Sequence, residues 1–78
     1  MKNVTIYSTP TCSYCKAAKA FFKEHNVAYT EKDVAGDAAA RAEMVEKSGQ
    51  MGVPIIFVDT DMIVGFDEGR LKQLLAIA

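Results

Sequence analysis

An α/β domain with the element order β-α-β-α-β-β-α is what the 78 residues predict, and three features predict it. Short stretches rich in β-forming residues, Val4 to Tyr7, Val27 to Val34 and Ile55 to Val58, recur along the chain. Segments with apolar residues at helical spacing separate them and close the chain. The only two cysteines, Cys12 and Cys15, stand at the first junction between a strand pattern and a helix pattern.

Val4, Thr5, Ile6 and Tyr7 alternate in the manner of a strand, and Ser8 to Thr11, with Pro10 among them, supply turn and capping residues. From about Ser13 to His25, Ala18, Phe21 and Phe22 fall on one helical face while Lys16, Lys19 and Lys23 mark a wetter one, and Asn26 is a helix stop. Val27 to Val34 reads as a second strand with one side partly solvated, paired parallel to the first through a right-handed crossover. Asp37 caps a second helix, in which Ala38, Ala42 and Val45 repeat at helical spacing with Arg41, Glu43, Glu46 and Lys47 outside, and Gly49 ends it. Ile55 to Val58, the turn Asp59-Thr60-Asp61 and Met62 to Val64 form a β-hairpin. Leu71, Leu74 and Leu75 define a last short helix that begins near Asp67 by carboxylate capping.

The elements use residues 1–78 as one domain, with no linker, repeat or low-complexity stretch left over. A chain this short buries only about 60% of its unfolded surface, so its core is small. A formal charge of −1 without a concentrated basic patch argues against nucleic acid or an anionic membrane as the partner. No signal-like or membrane-spanning apolar run is present, which makes a reducing cytoplasm the expected location; the expected state is a monomer. In that compartment a close cysteine pair is more often redox-active or metal-binding than a structural staple, and two cysteines alone do not complete a tetrahedral zinc site.

Cys12 and Cys15 are three apart, so a helix carries them on one face with β-carbons about 5–6 Å apart, and a small adjustment of the first turn brings them within bridging range. Cys12 lies where unpaired backbone N–H groups and the positive end of a helix favour a thiolate; Cys15, one turn in, is sheltered and less ionised. Cys12 is thus the expected attacking sulfur and Cys15 the resolving one. The plainer alternatives are two space-filling cysteines or half of an intermolecular metal site.

Two further segments bear on a ligand. Gly52-Val53-Pro54 precedes the Ile55 strand: it is either an ordinary strand-initiating proline or a cis Val53-Pro54 bond that turns the Val53 backbone toward an extended thiol ligand. Gly65-Phe66-Asp67 is either a turn with a capping aspartate or a head-group site, in which helix N–H groups bind a carboxylate and Asp67 accepts an ammonium. The γ-glutamyl end of glutathione carries both charges. Tyr14 either stacks on a ligand or covers the sulfurs. The three lysines are read as a solvated face, with Lys16 the one beside the cysteines, and His25 as a surface or capping residue.

Together these residues resemble the glutaredoxin family in a short bacterial form, from Val4 to about Leu75. Cys12-Ser13-Tyr14-Cys15 is similar to the family's Cys-Pro-Tyr-Cys centre, and Ser48-Gly49, Val53-Pro54, Phe57 and Gly65-x-Asp67 fall where its other motifs do. The resemblance implies a thioredoxin-like fold with a four-stranded mixed sheet flanked by three helices, and a cis proline at Pro54. It also implies thiol-disulfide exchange with glutathione as ligand and reductant, acting on disulfide-containing or glutathionylated proteins. The implied glutathione contacts are Tyr14, Arg41, Val53, Pro54, Gly65, Phe66 and Asp67. Three departures stand out: Thr9 where the family commonly has Lys or Arg, Gly52 where it has Thr, and Val64-Gly65 where it has paired glycines. Gly65-Phe66 also resembles the glutaredoxin-like redoxins that serve ribonucleotide reductase and are recharged by thioredoxin reductase. Ser13 after Cys12 resembles relatives that carry a glutathione-ligated [2Fe–2S] cluster, for which Cys12 would be the one protein ligand from each subunit.

Overall fold

A computed structural model describes residues 3–50 and 52–76 of the chain, so residues 1, 2, 51, 77 and 78 of the expected single domain lie outside the described residues. The elements follow in the expected order: β1 (Val4–Ser8), α1 (Ser13–Glu24), β2 (Thr30–Asp33), α2 (Ala38–Ser48), β3 (Ile55–Val58), β4 (Asp61–Val64) and α3 (Glu68–Leu75). One four-stranded sheet carries the strands in the order β2-β1-β3-β4. The pair β1–β2 is parallel, as a strand-helix-strand crossover requires, while β1–β3 and β3–β4 are antiparallel. This mixed sheet with three helices is the thioredoxin-like architecture.

Alternation along the two central strands divides the core. Val4, Ile6, Ile56, Val58 and Ile63 meet Ala18, Phe21 and Phe22 of α1 and Leu71 of α3. On the other face Tyr7 and Ile55 meet Val34 and the α2 residues Ala40 and Met44. Leu74 and Leu75 complete the first cluster while only partly buried.

The chain between α1 and β2 departs from the sequence reading. The second strand is Thr30–Asp33 and not Val27 to Val34. Asn26 takes a left-handed φ of 56°, its N–H reaches Lys23 O and the Val27 N–H reaches Phe22 O at 2.8 Å, a Schellman closure of α1. The Val27 amide is therefore committed to the helix. The parallel ladder pairs only Thr5 to Ser8 with Thr30 to Asp33, while Val27 and Tyr29 pack against the core ahead of it.

The face of α2 also differs from the sequence reading. Ala40 and Met44 are its buried residues, whereas Ala38, Ala42 and Val45 are exposed. An alanine-rich helix offers little apolar contrast between faces, and a polar contact sets its rotation. Glu43, expected outside, is half-buried and accepts hydrogen bonds from the Tyr7 hydroxyl and from Lys32 Nζ at 2.6 Å. Tyr7 is 1% exposed, so its hydroxyl needs a partner inside the protein, and Glu43 is that partner. Lys32 also lies 5.7 Å from the centre of the Tyr7 ring.

These contacts have a defined acid signature. The Lys32 ammonium and the Tyr7 hydroxyl hold the Glu43 carboxyl at about 2, below its ordinary 4.5, while burial and Glu43 push the Tyr7 phenol to about 12. A carboxyl lowered by folding contributes stability above its unfolded value and loses it as pH falls through the folded value. Glu43→Gln is expected to lower the urea midpoint at neutral pH, and its deficit against the parent should shrink between pH 4.5 and 2. Tyr7→Phe should cost about 1 kcal/mol for the lost hydrogen bond. A pH-independent deficit for Glu43→Gln in urea titrations would remove the network from the account of α2.

Candidate active site

β1 ends at Ser8, and Thr9-Pro10-Thr11 turn the chain so that the Cys12 N–H returns to Thr9 O at 3.3 Å. Pro10 sits where a turn needs a preset φ. Cys12 follows in an extended conformation, φ −81° and ψ 117°, as the N-cap of α1, one residue ahead of the first turn. Its carbonyl accepts the first helical bond from Lys16 N–H at 3.1 Å, and its Sγ accepts the Cys15 N–H at 3.3 Å. The sulfur thus takes the place a serine or aspartate oxygen usually holds, facing the donor end of the helix.

The two free thiols have unlike surroundings. Cys12 is half-buried and Cys15 wholly buried. Burial pushes the Cys15 thiol up to about 11, and its hydrogen bond with Cys12 adds to this; the Thr9 backbone and the Lys19 charge pull the other way. Cys15 is therefore a thiol at neutral pH. The geometry offers one accessible sulfur under a backbone donor, backed by a buried protonated sulfur on the next turn.

The second segment arrives from β3. The Val53-Pro54 bond is cis, Pro54 is buried and Val53 half-buried. Val53 O lies 4.0 Å from Cys12 Sγ, so the strand entry forms one wall beside that sulfur. Pro54 O accepts the Gly65 N–H at 2.8 Å, which brings in the third segment. Gly65 has φ 85°, a left-handed turn between β4 and α3 that a side chain would strain.

Cys12, Cys15, Val53, Pro54 and Gly65 are thus linked by direct contacts or shared backbone. Tyr14 stands between the cysteines and is 67% exposed. Phe66 turns into the core, edge-to-face with Phe21 at 5.9 Å, which fixes the 65–67 segment against α1. Asp67 is exposed and caps α3, Oδ1 accepting the Arg70 N–H at 3.1 Å. Arg41 is exposed on α2 and is not among the residues that these contacts link. Among the described residues no three His, Cys, Asp or Glu side chains converge as a metal site.

Sequence reasoning passed over one group. Lys19, read as part of a solvated face, is half-buried and pairs with Glu31 Oε2 at 2.7 Å; the same oxygen accepts Ser8 Oγ at 3.0 Å. These three, with Pro10 and Asp33, line a cleft of about 340 Å³ next to the cysteine loop. The signal was in the spacing: Lys19 is four residues after Cys15 and shares its side of the helix.

Among the described residues no helix is long and apolar enough to cross a membrane. The glutaredoxin family model matches residues 4–63. The chain is 44% identical over 68 residues to glutaredoxin 3 of Escherichia coli K12, covering 87% of this chain and 82% of that one. It is 42% identical over 72 residues to a glutaredoxin-like 8.6 kDa protein of the Clostridium pasteurianum rubredoxin operon, covering 92% and 96%. A crystal structure of the thioredoxin-like protein BC3987 superposes with a TM-score of 0.86 at 37% identity, over 91% of this chain and 97% of that one. A glutaredoxin of Archaeoglobus fulgidus, at 24% identity over 96% of this chain and 87% of its own, shares the fold with a TM-score of 0.85. With a cysteine pair at the head of α1, the Val53-Pro54 wall and this match over most of its length, the chain belongs to the glutaredoxin family of thiol-disulfide oxidoreductases.

Proposed function

We propose that the protein reduces protein disulfides and glutathione mixed disulfides with electrons from glutathione, Cys12 attacking and Cys15 resolving. The observation that carries this reading is the placement of Cys12 Sγ under the Cys15 N–H and beside Val53 O, with Cys15 buried behind it. The Cys12 thiolate attacks one sulfur of a substrate disulfide, forming a mixed disulfide and expelling the other sulfur as thiolate. Cys15 then loses its proton and attacks Cys12 Sγ, which closes the Cys12–Cys15 disulfide and releases the substrate thiolate. Two glutathione molecules return both cysteines to thiols and leave as glutathione disulfide.

Glutathione lies extended along Val53 and Pro54, its cysteine sulfur toward Cys12. The first N–H groups of α3 beyond Gly65 bind its γ-glutamyl carboxylate and Asp67 its ammonium, with Phe66 holding that turn in place. Tyr14 stacks on the ligand from its exposed position, and Arg41 meets the glycyl carboxylate from α2. Recharging by thioredoxin reductase is the second reading, favoured by Thr9, a neutral side chain at the position where the family commonly has a cation.

Cys12→Ser is expected to reduce turnover to the uncatalysed background in every assay. Cys15→Ser should keep removal of glutathione from mixed disulfides and lose reduction of protein disulfides; equal loss in both assays would sink the division of roles. Asp67→Asn, which preserves the cap, should raise KM for a glutathionylated peptide about tenfold, or roughly 1.4 kcal/mol. An unchanged KM would remove Asp67 from the ammonium site. Finally, turnover driven by NADPH, glutathione and glutathione reductase should exceed that driven by NADPH and thioredoxin reductase, and the reverse order would select the second reading.

A further inference from the structure

The resolving step poses an electrostatic problem. Cys15 must become a nucleophile, yet it is wholly buried and its thiol is pushed up to about 11. Something near Cys15 has to favour charge on that sulfur.

Lys19 is the cation on the same side of α1, one turn below Cys15. A free surface lysine extends into water, but this one is 23% exposed and held against the end of the sheet. Its tether has two stages. Glu31 Oε2 accepts Lys19 Nζ at 2.7 Å, and the Ser8 hydroxyl, 1% exposed at the end of β1, donates to that same oxygen at 3.0 Å. A buried hydroxyl fixes the carboxylate, and the carboxylate fixes the ammonium. Two groups oppose the burial of Cys15, first the Thr9 backbone and then the Lys19 charge, and only the second is a side chain. Glu31 is itself lowered, chiefly by its bond to Lys19, and Lys19 raised, chiefly by its bond to Glu31, so both stay ionised through the working pH range. The other polar groups facing this set are Cys12 and the Thr9 backbone N–H, and Tyr29 and Asp33 from the β2 segment.

We propose that Lys19, tethered by Glu31 and Ser8, is a positioning residue for resolution, its ammonium stabilising negative charge on Cys15 Sγ as that sulfur attacks Cys12. This rests on the division of roles between Cys12 and Cys15 proposed above. In the step, the Cys15 thiol gives its proton to water and its sulfur forms a bond to Cys12 Sγ. The Cys12–substrate S–S bond breaks, its electron pair leaves on the substrate sulfur, and that thiolate takes a proton from solvent. The two cysteines are oxidised to the disulfide and the substrate sulfur is reduced. Lys19 keeps its proton throughout.

The test uses the reduced full chain and 5,5′-dithiobis(2-nitrobenzoate), followed by stopped-flow absorbance across neutral and alkaline pH. Attack by Cys12 releases one thionitrobenzoate, and attack by Cys15 on the resulting mixed disulfide releases the second. Cys15→Ser identifies the second phase by abolishing it. Lys19→Gln is expected to slow the second phase about tenfold at neutral pH and to move its alkaline rise up by about one pH unit, leaving the first phase within about twofold. Lys19→Arg should restore most of the rate, and Glu31→Gln should shift the second phase in the same direction as Lys19→Gln by freeing the ammonium. A second phase unchanged in rate and pH profile in Lys19→Gln overturns the proposal, as does parallel slowing of both phases with a lower Tm, the behaviour of a mere structural staple. If Lys19→Gln does not fold, Glu31→Gln decides, and a parental second phase there overturns it. Parental protein that shows no Cys15-dependent release would instead overturn the underlying division of roles.

Discussion

The register between β1, β3 and β4 determines where the chemistry can be. Tyr7 lies opposite Ile55, and Ile55 opposite Val64. Because β3 runs antiparallel to β1, the residues just before Ile55 must lie beside the residues just after Tyr7, and Gly65 must lie beside Pro54. A slip of one residue would turn Ile6 and Ile56 out of one cluster and Tyr7 and Ile55 out of the other, so burial on both faces of the two central strands enforces the alignment. The head of α1 emerges at that same end of the sheet because β1 feeds directly into it. Three segments distant in sequence therefore meet at Cys12 as a consequence of core packing.

At that meeting point one helix places two chemically identical side chains in opposed environments. The cap position gives Cys12 a backbone donor and partial exposure, while a shift of three residues carries Cys15 beneath the helix. Burial that suits a leaving or waiting thiol handicaps it as a nucleophile, because charge on a desolvated sulfur is costly. A nearby fixed cation offsets that cost without exposing the sulfur. The Ser8, Glu31 and Lys19 chain is built at the ends of β1 and β2, the two strands that α1 connects, so the same crossover that positions the cysteines positions the charge.

Much of this was legible in the sequence because it depends on local chemistry. Asp37, Gly49 and Asp67 mark helix ends by capping, and the structure uses each of them so. The cysteine spacing and the apolar run at Ile55 marked two segments that the structure brings together at Cys12 and Val53. Illegible features depended on contacts between distant segments. The rotation of α2 follows from a hydroxyl on Tyr7 and a cation on Lys32 meeting Glu43, and no periodicity within α2 encodes that. The loss of strand at Val27 follows from its amide closing α1. Phe66 was open between ligand and core until Phe21 supplied its edge-to-face partner. Lys19 looked solvated because its partner, Glu31, lies twelve residues away on another element.

The distribution of positive charge around the cysteines separates two demands on the site. Three residues before Cys12 this chain has the neutral Thr9, whose carbonyl accepts the Cys12 N–H. Lys16 is exposed just past Cys15, and Lys19 is drawn in behind it. Charge at the mouth acts on substrate binding and on the encounter rate, and it is screened by salt. Lys19 lines the cleft beside the cysteine loop, half-buried and paired with Glu31, so both water and that carboxylate moderate its field. In the two-cysteine route proposed above, substrate binding then rests on the Val53-Pro54 wall and the head of α3, and the charge nearest the cysteine helix bears on the step at Cys15.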